Sequence, residues 1–382
     1  MPDQQHRITF PDISSRAFEH PADRSALVAL RSLSGFDTVL KTLSGLFRER
    51  QHRLLYLASA IKVDERQFAG VNALLTEVVG VLDAPARPEL FVVQDPRVNA
   101  ITMGMDEPFI VLTTGMVDLM DTDELRFVIG HEVGHAMSGH SVYRTMLHHL
   151  LNLVGAFSWM PIGSWGLRAL VASLNEWARK SELSGDRAGL LAGQDEQAAL
   201  RVMMKLAGGP KLAEMNTEAF LEQAAEYEST GDLRDGLLKL INLEPQTHPF
   251  SVVRAAALKE WVDSGDYQRI LAGNYPHRTD DKKATIGEEF AAAGKSYRKS
   301  FNESTDPLVS AVRNLGHDVG GVAQTVGKNI VDVVTGIWNR FDGRDESEPR
   351  TETTAETGST GAAESGPAEG GESTEGGDPK DN

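Results

Sequence analysis

The chain has 382 residues, of which 41% are hydrophobic, so it is longer than one average domain and can bury a sizeable core. Its net charge of −17, with no basic face, argues against nucleic-acid binding. The absence of cysteine excludes disulfides and thiolate metal sites, fits a reducing compartment, and leaves nitrogen and oxygen as the only ligands for a metal.

Residues 1–87 are predicted to form an N-terminal helical segment that packs on the core. The opening stretch MPDQQHRITFPD lacks the apolar region of a signal peptide, so we expect a cytoplasmic protein. Residues 27–63 are hydrophobic but are interrupted by charges such as Arg31, Asp37 and Lys41, which indicates amphipathic helices and not membrane spans.

The next predicted elements are two strands, over Glu89 to Val93 and over Phe109 to Thr113. Both are short hydrophobic runs rich in β-branched and aromatic residues. Between them, the stretch Asn99 to Met103 is interpreted as an edge of the same small sheet.

A helix is predicted over Asp121 to Gly139. Asp121 can cap it and Glu124 follows three residues later, which is the pattern of a capping box. Apolar residues then recur at helical spacing up to the decapeptide HEVGHAMSGH, the most informative stretch of the chain.

This decapeptide predicts a metal site. Positions i and i+4 share a helix face, so His131 and His135 can direct imidazole nitrogens at one ion. Glu132 projects beside them toward a water molecule at the metal, and zinc is the metal expected. His140 lies nine residues past His131 and is half a turn out of phase unless the helix breaks at Gly139. We therefore interpret it as a helix-end residue with a backbone hydrogen bond.

The third ligand is predicted in the stretch ARKSELSGDRAG, where Glu182 and Asp186 are again i and i+4 on a helix. Glu182 would bind the metal. Asp186 would accept a hydrogen bond from the far nitrogen of a ligand histidine and fix its tautomer. An aspartate ligand in place of Glu182 stays open.

Two later regions carry membrane alternatives. Residues 150–174 are apolar but interrupted, which favours a buried helical hairpin turning near Pro161 to Gly166, with membrane docking as the alternative. Residues 308–341 repeat apolar positions every eleven residues, which predicts a straight amphipathic helix that packs on protein, or alternatively on a lipid surface. Residues 279–307 are predicted to be a linker.

The last segment, residues 342–382, is predicted to be a disordered acidic tail. It holds 12 acidic and 3 basic residues and no large apolar residue, so it cannot bury enough surface to fold.

The stretch FIVLTTGMVDLMDTDELRFVIGHEVGHAMSGH, followed by SELSGD, resembles the HtpX and CAAX prenyl endopeptidase type of zinc metallopeptidase. The resemblance covers roughly residues 88–261 and includes the triplet VNA at residues 98–100 and the downstream HPF. It implies a mainly α fold with a small β-sheet (α+β), in which a zincin-like metallopeptidase domain, residues 88–278, carries HExxH on its active-site helix.

The same resemblance implies a zinc-dependent endopeptidase with one zinc ion per chain, held by His131, His135 and Glu182. Glu132 would be the general base. A downstream histidine near the substrate carbonyl matches His248, and the basic residue that follows matches Arg254.

In the predicted chemistry, zinc acidifies a water and polarises the scissile carbonyl, Glu132 moves one proton, and His248 stabilises the oxyanion. A peptide substrate could add as a strand beside Asn99 and Ala100, which gives main-chain affinity with little sequence selectivity. From the family we expect unfolded or damaged proteins as substrates. The alternative is a latent or inactive zinc-stabilised scaffold, chaperone-like, that binds a partner or a membrane surface.

Overall fold

The computed structural model describes residues 7–31, 49–104, 107–156, 164–229 and 250–281. The helices in these ranges are α1 Pro21–Arg31, α2 Glu49–Ser59, α3 Ala69–Val81, α4 Thr114–Leu119, α5 Thr122–Met137, α6 His140–Ala156, α7 Ser164–Gly193, α8 Glu196–Gly208, α9 Thr217–Ser229, α10 Ser251–Asp263, α11 Asp266–Leu271 and α12 Arg278–Asp281. The strands are β1 Ile61–Lys62, β2 Glu89–Val93, β3 Ala100–Met103 and β4 Phe109–Thr113. The predicted mainly α fold with a small sheet is confirmed.

The four strands form one sheet in the order β1-β2-β4-β3. The two inner strands β2 and β4 are parallel, with Glu89 opposite Phe109 and Val93 opposite Thr113, and they have the limits that the sequence predicted. The outer strands β1 and β3 are antiparallel to their neighbours. Strand β3 therefore forms one edge of the sheet, and it lies against α5 and α6.

Helix α5 begins with the predicted capping box. The Asp121 carboxylate accepts from the backbone N–H of Glu124 at 2.9 Å, and the Glu124 carboxylate accepts from the N–H of Asp121 at 2.8 Å. The helix ends at Met137, two residues earlier than predicted, and Gly139 has φ +67° before α6 begins. This left-handed residue changes the direction of the chain between the two helices.

Helices α5 and α7 pack closely through small residues. A Cβ atom on Gly130 would lie 2.5 Å from the Cβ of Ala192, and one on Gly134 would overlap the Cβ of Ala188. Side chains larger than hydrogen at these two positions would push the helices apart. This close approach brings the HExxH helix and the helix that carries Glu182 within reach of the same ion.

The N-terminal residues pack on this helix pair. Phe10, Ile13 and Phe18 are fully buried in the main hydrophobic core, and α1 lies against α7. Burying an aromatic side chain of this kind contributes roughly 1.5 to 3 kcal/mol of transfer free energy. Residues 7–31 are therefore anchored beside the metal-site helices.

The apolar stretch 150–174 divides between α6, which ends at Ala156, and α7, which begins at Ser164. The predicted turn near Pro161 to Gly166 is wrong for residues 164–166, because they form the first turn of α7. The leading N–H groups of a helix lack helical partners, so a serine is tolerated in this turn. Residues 157–163 lie outside the described ranges. Within those ranges, we find no helix long and apolar enough to span a membrane.

Several predicted features lie outside the described residues. They are His248, residues 282–307 of the predicted linker, the predicted helix over residues 308–341, and the predicted acidic tail over residues 342–382.

Candidate metal centre

Three buried side chains converge where α5 faces α7. The two Nε2 atoms of His131 and His135 lie 3.0 Å apart, and each lies 3.4 Å from an oxygen of Glu182. Tetrahedral zinc with bonds near 2.0–2.1 Å requires ligand atoms about 3.3 Å from one another. Among the described residues, this group has the spacing and the chemistry to hold a metal ion.

Gly185 allows the approach of His131 to α7. A Cβ atom at this position would lie 2.6 Å from Cε1 and 2.8 Å from Nδ1 of the His131 ring. The imidazole therefore packs directly on the backbone of α7, one turn from Glu182. No larger residue at position 185 leaves this ring where it is.

Asp186 holds His131 from behind, as the sequence predicted. Its Oδ1 atom lies 3.0 Å from Nδ1 of His131, which donates the hydrogen bond. Arg254 from α10 clamps the carboxylate, with Nε 2.8 Å from Oδ2 and Nη2 2.5 Å from Oδ1. All three side chains are buried. Although burial raises the pKa of Asp186, the charge and hydrogen bonds of Arg254 and His131 lower it more, so this carboxylate stays ionised.

His140 holds His135, contrary to the predicted backbone hydrogen bond. The prediction assumed a continuous helix, but the break at Gly139 turns His140 back toward the site. Its Nδ1 atom lies 2.9 Å from Nδ1 of His135, and its Nε2 atom lies 3.1 Å from Oδ2 of Asp23 in α1. His140 is therefore a hydrogen-bond partner of a predicted ligand.

The two histidines of the motif have opposite pKa shifts. Burial lowers the pKa of His131, but its hydrogen bonds to Asp186 and Glu182 outweigh burial and raise it to about 9. Burial, followed by the charge of Arg144, lowers the pKa of His135 well below its ordinary value. In this structure His135 is neutral at pH 7, as a metal ligand must be, whereas His131 has a proton that a metal would displace.

Arg144 from α6 contacts two of the same atoms. Its Nη1 lies 2.6 Å from Oε1 of Glu182 and 2.7 Å from Nε2 of His135. This guanidinium neutralises Glu182 in the structure, and a metal bound to His135 Nε2 would replace that contact.

Glu132 is oriented by a threonine of strand β3. The Oγ1 atom of Thr102 lies 2.7 Å from Oε2 and 2.9 Å from the backbone oxygen of Glu132, and both residues are buried. The single hydroxyl proton is shared between these two acceptors. The Glu132 carboxylate is thus held at the edge strand, beside the histidines.

A cleft of about 490 Å³ opens onto the site. His131, Glu132 and Glu182 line it together with Asn99 and Ala100 of the β3 edge. Arg254 also reaches the lining, although its guanidinium is held by Asp186. The structure thus brings together the predicted site residues that it describes.

Comparison with known proteins matches residues 65–262 to the model of peptidase family M48. The chain belongs to peptidase family M48. It is therefore a peptidase, a hydrolase of the metal-dependent type, and proteins or peptides are its substrates.

Two relatives illustrate this membership of family M48. The plastoglobule-localized metallopeptidase 48, chloroplastic, of Arabidopsis thaliana is 34% identical over 269 residues, which are 69% of this chain and 77% of that protein. Protease HtpX of Xylella fastidiosa is 25% identical over 137 residues, which are 35% of this chain and 46% of that protein. The match to HtpX thus spans less than half of its length. No solved structure shows significant similarity to the chain.

Family M48 accounts for the motif residues but not for the whole site. His131, His135, Glu182 and Asp186 lie within residues 65–262, whereas Asp23 lies outside. Thr102, Arg144 and Asp23 have no motif in the sequence that connects them to the metal centre, because each reaches it only through the tertiary fold.

Proposed function

We propose that the protein is a zinc-dependent endopeptidase, with one zinc ion held by His131, His135 and Glu182. The observation that supports it most is that the two Nε2 atoms lie 3.0 Å apart, with Oε2 of Glu182 3.4 Å from that of His131 and Oε1 3.4 Å from that of His135. Two nitrogens and one carboxylate oxygen are a donor set that catalytic zinc uses, with one position left open.

Glu132 is proposed to move the protons of the reaction. When bound, zinc lowers the pKa of a water molecule and polarises the scissile carbonyl. Glu132 takes a proton from the attacking water and donates it to the departing amine. The hydrogen bond from Thr102 directs one carboxylate oxygen, and burial keeps bulk water away from the proton that is being transferred.

Two further residues keep the roles that we proposed from the sequence. His248 would stabilise the oxyanion. Removal of one such donor raises the activation free energy by roughly 2.7 to 4 kcal/mol. Arg254 would contact the substrate or transition state; its buried pairing with Asp186 favours in addition a role in holding His131.

The proposed substrates are extended segments of unfolded or damaged proteins. Asn99 O accepts from the N–H of Thr113 at 3.1 Å, so by the alternation of antiparallel pairs the peptide groups of Ala100 point away from β4. A substrate strand could pair there, next to Glu132. Main-chain pairing reads little side-chain sequence, which suits unfolded proteins in general.

The composition of the chain also bears on its location in the cell. The cysteine-free composition supports a reducing compartment, and we propose the cytoplasm. Contact with a membrane surface through residues 150–174 or 308–341 is the alternative for those segments.

Cleavage of denatured casein by the zinc-loaded protein tests the proposal. We expect the wild type to cut it, Glu132→Gln to lose at least about 100-fold in rate with its zinc retained, and Glu222→Gln on exposed α9 to cut normally. Mass spectrometry of the products and metal analysis of each protein provide the readouts. Equal cleavage by Glu132→Gln would refute the role of Glu132.

The second candidate is a latent or scaffold protein. It is favoured by the contact of Arg144 with His135 Nε2 and Glu182 Oε1, two atoms that a metal needs. Full zinc loading without cleavage of casein by the wild type would support this candidate over the active peptidase.

A further inference from the structure

A buried hydrogen-bond chain connects the N-terminal segment to the metal centre. It runs from Asp23 in α1 through His140 to His135, with separations of 3.1 Å and 2.9 Å, and all three side chains are buried. We propose that Asp23 is a positioning residue that acts through His140 to keep the Nε2 lone pair of His135 directed at the metal. The inference builds on the proposed zinc site.

Proton accounting along this chain determines the tautomer. An ionised carboxylate only accepts hydrogen bonds, so Nε2 of His140 donates to Asp23. Arg144 Nη1, which can only donate, lies 2.7 Å from Nε2 of His135, so the proton of His135 is on Nδ1 and Nδ1 of His140 accepts it. The remaining nitrogen of His135, Nε2, carries no proton, and this is the atom that faces Glu182.

Two donors fix Asp23 in this role. Trp177 Nε1 donates to Oδ1 at 3.0 Å, and Ser184 Oγ donates to Oδ2 at 2.6 Å. A buried carboxylate is costly unless its oxygens are satisfied, and here each oxygen has a buried partner. The indole N–H is a donor only, so Oδ1 must remain an acceptor.

The position of Asp23 makes the N-terminal segment part of the metal centre. Asp23 lies in the first turn of α1, outside the residues that match the family model. The backbone N–H of His20 also donates to Ser184 at 2.8 Å. The docked segment therefore supplies the Asp23 carboxylate and also contacts Ser184, the donor to that carboxylate. Docking of residues 7–31 on α7 is therefore coupled to the orientation of His135.

Asp23→Asn should reverse this chain. The amide oxygen must face Trp177, so the amide N–H₂ faces His140 and requires an acceptor there. His140 then has its proton on Nδ1 and donates it to His135, whose own proton moves to Nε2. We expect zinc affinity to fall about 10- to 100-fold, the usual effect of losing such a partner.

Trp177→Phe in the same protein should rescue the defect. Without the indole N–H, the introduced amide at position 23 can rotate, so that its oxygen accepts from His140 and the original tautomer returns. We expect Asp23→Asn/Trp177→Phe to bind zinc nearly as tightly as Trp177→Phe alone. Ser181→Ala on the same helix, whose hydroxyl donates to the backbone oxygen of Ala178 and not to Asp23, should keep the wild-type affinity.

The experiment measures zinc affinity by competition with a chelator and, in the metal-free proteins, the His135 tautomer by ¹⁵N NMR of the imidazole nitrogens. Expected are a protonated Nδ1 in the wild type, a protonated Nε2 in Asp23→Asn, and recovery in the double variant. Thermal unfolding identifies any variant that has lost its fold. If Asp23→Asn is unfolded, the inference is tested by comparing the His135 tautomer of the double variant with that of Trp177→Phe.

Wild-type tautomer and zinc affinity in a folded Asp23→Asn protein would overturn the inference. Failure of the wild type to bind zinc would instead contradict the proposed function, and the tautomers of the metal-free proteins would still support or overturn the hydrogen-bond chain.

Discussion

The two histidines of the HExxH motif are held by hydrogen bonds that come from different regions of the chain. His131 bonds Asp186, which lies one helical turn from Glu182 on α7 and is clamped by Arg254. His135 bonds His140 and, through it, Asp23 of the N-terminal segment. The first side lies within the part of the chain that matches family M48, and the second side begins outside it.

The two sides differ in whether the hydrogen-bond partner of the ligand histidine belongs to the sequence motifs or is supplied by the rest of the fold. On the His131 side, one helix supplies both a ligand and the partner of another ligand, so their spacing is set by helix geometry. On the His135 side, a glycine-dependent turn and a docked N-terminal segment must both be in place. We therefore expect the His135 side to be the more sensitive to loss of residues 7–31.

The largest effect should come from removing Arg254, the cation that pairs with Asp186 on the His131 side. Arg254→Met leaves Asp186 buried without its main counter-charge, which should lower the free energy of unfolding by about 3 to 5 kcal/mol. Arg269→Met removes a pair with Asp266 whose arginine is 68% exposed, and it should lower stability by at most about 1 kcal/mol. Urea unfolding measures the free energy of unfolding of both variants. Equal losses would contradict a stabilising role for the buried pair of Arg254 with Asp186.

A change of pH should distinguish the two histidines in the metal-free protein. The folded-state pKa of His131 is raised to about 9, so its stabilisation is complete below pH 6.5 and is lost as pH rises through 9. At 1.36 kcal/mol per unit, the loss is roughly 3 kcal/mol. The lowered pKa of His135 has the opposite sign, with stability lost as pH falls.

Urea unfolding at pH 6.5 and pH 9 checks this dependence, with His131→Gln as the control that should lack the loss at high pH. The same loss in the control would assign it to another group.

Moving His131 without removing it should weaken metal binding. In Gly185→Ala the new methyl group would meet the imidazole ring at 2.6 Å, so the ring must shift, and zinc affinity should fall about 10- to 100-fold. A Cβ atom on Gly193 of the same helix would have no atom within 4 Å, so Gly193→Ala should keep its affinity. Chelator competition measures the affinities, and an unaffected Gly185→Ala protein would mean that the close packing is not required.

The smallest effect should come from removing the hydrogen bond that Thr102 donates to Glu132, which belongs to neither side. Thr102→Val keeps the shape of the side chain but removes the hydroxyl at 2.7 Å from Oε2. We expect kcat to fall about ten-fold, the equivalent of one charged hydrogen bond, with zinc content unchanged. Thr76→Val, whose hydroxyl bonds only a backbone oxygen on α3, is the control. Loss of zinc in Thr102→Val would indicate a structural role instead.

Sequence patterns anticipated the features that depend on local spacing. The capping box of α5, the limits of β2 and β4, and the placement of Glu182 and Asp186 on one face of α7 all follow from residues at fixed offsets. Helix and strand periodicity determine these relations before any tertiary contact forms.

The features that sequence analysis missed depend on distant segments or on one backbone angle. The role of His140 required the left-handed Gly139, which a continuous-helix argument ignores. Asp23 and Thr102 reach the site only after α1 and β3 have packed on the helix pair. No spacing rule connects residue 23 to residue 135.

A crystal structure of the zinc-loaded protein, with anomalous data collected at the zinc edge, tests the central claim most directly. We predict one zinc ion per chain at the described site, bound by Nε2 of His131, Nε2 of His135 and a Glu182 oxygen. The Nδ1 atoms should still face Asp186 and His140. A zinc ion bound elsewhere, or bound through Nδ1 of either histidine, would contradict the account.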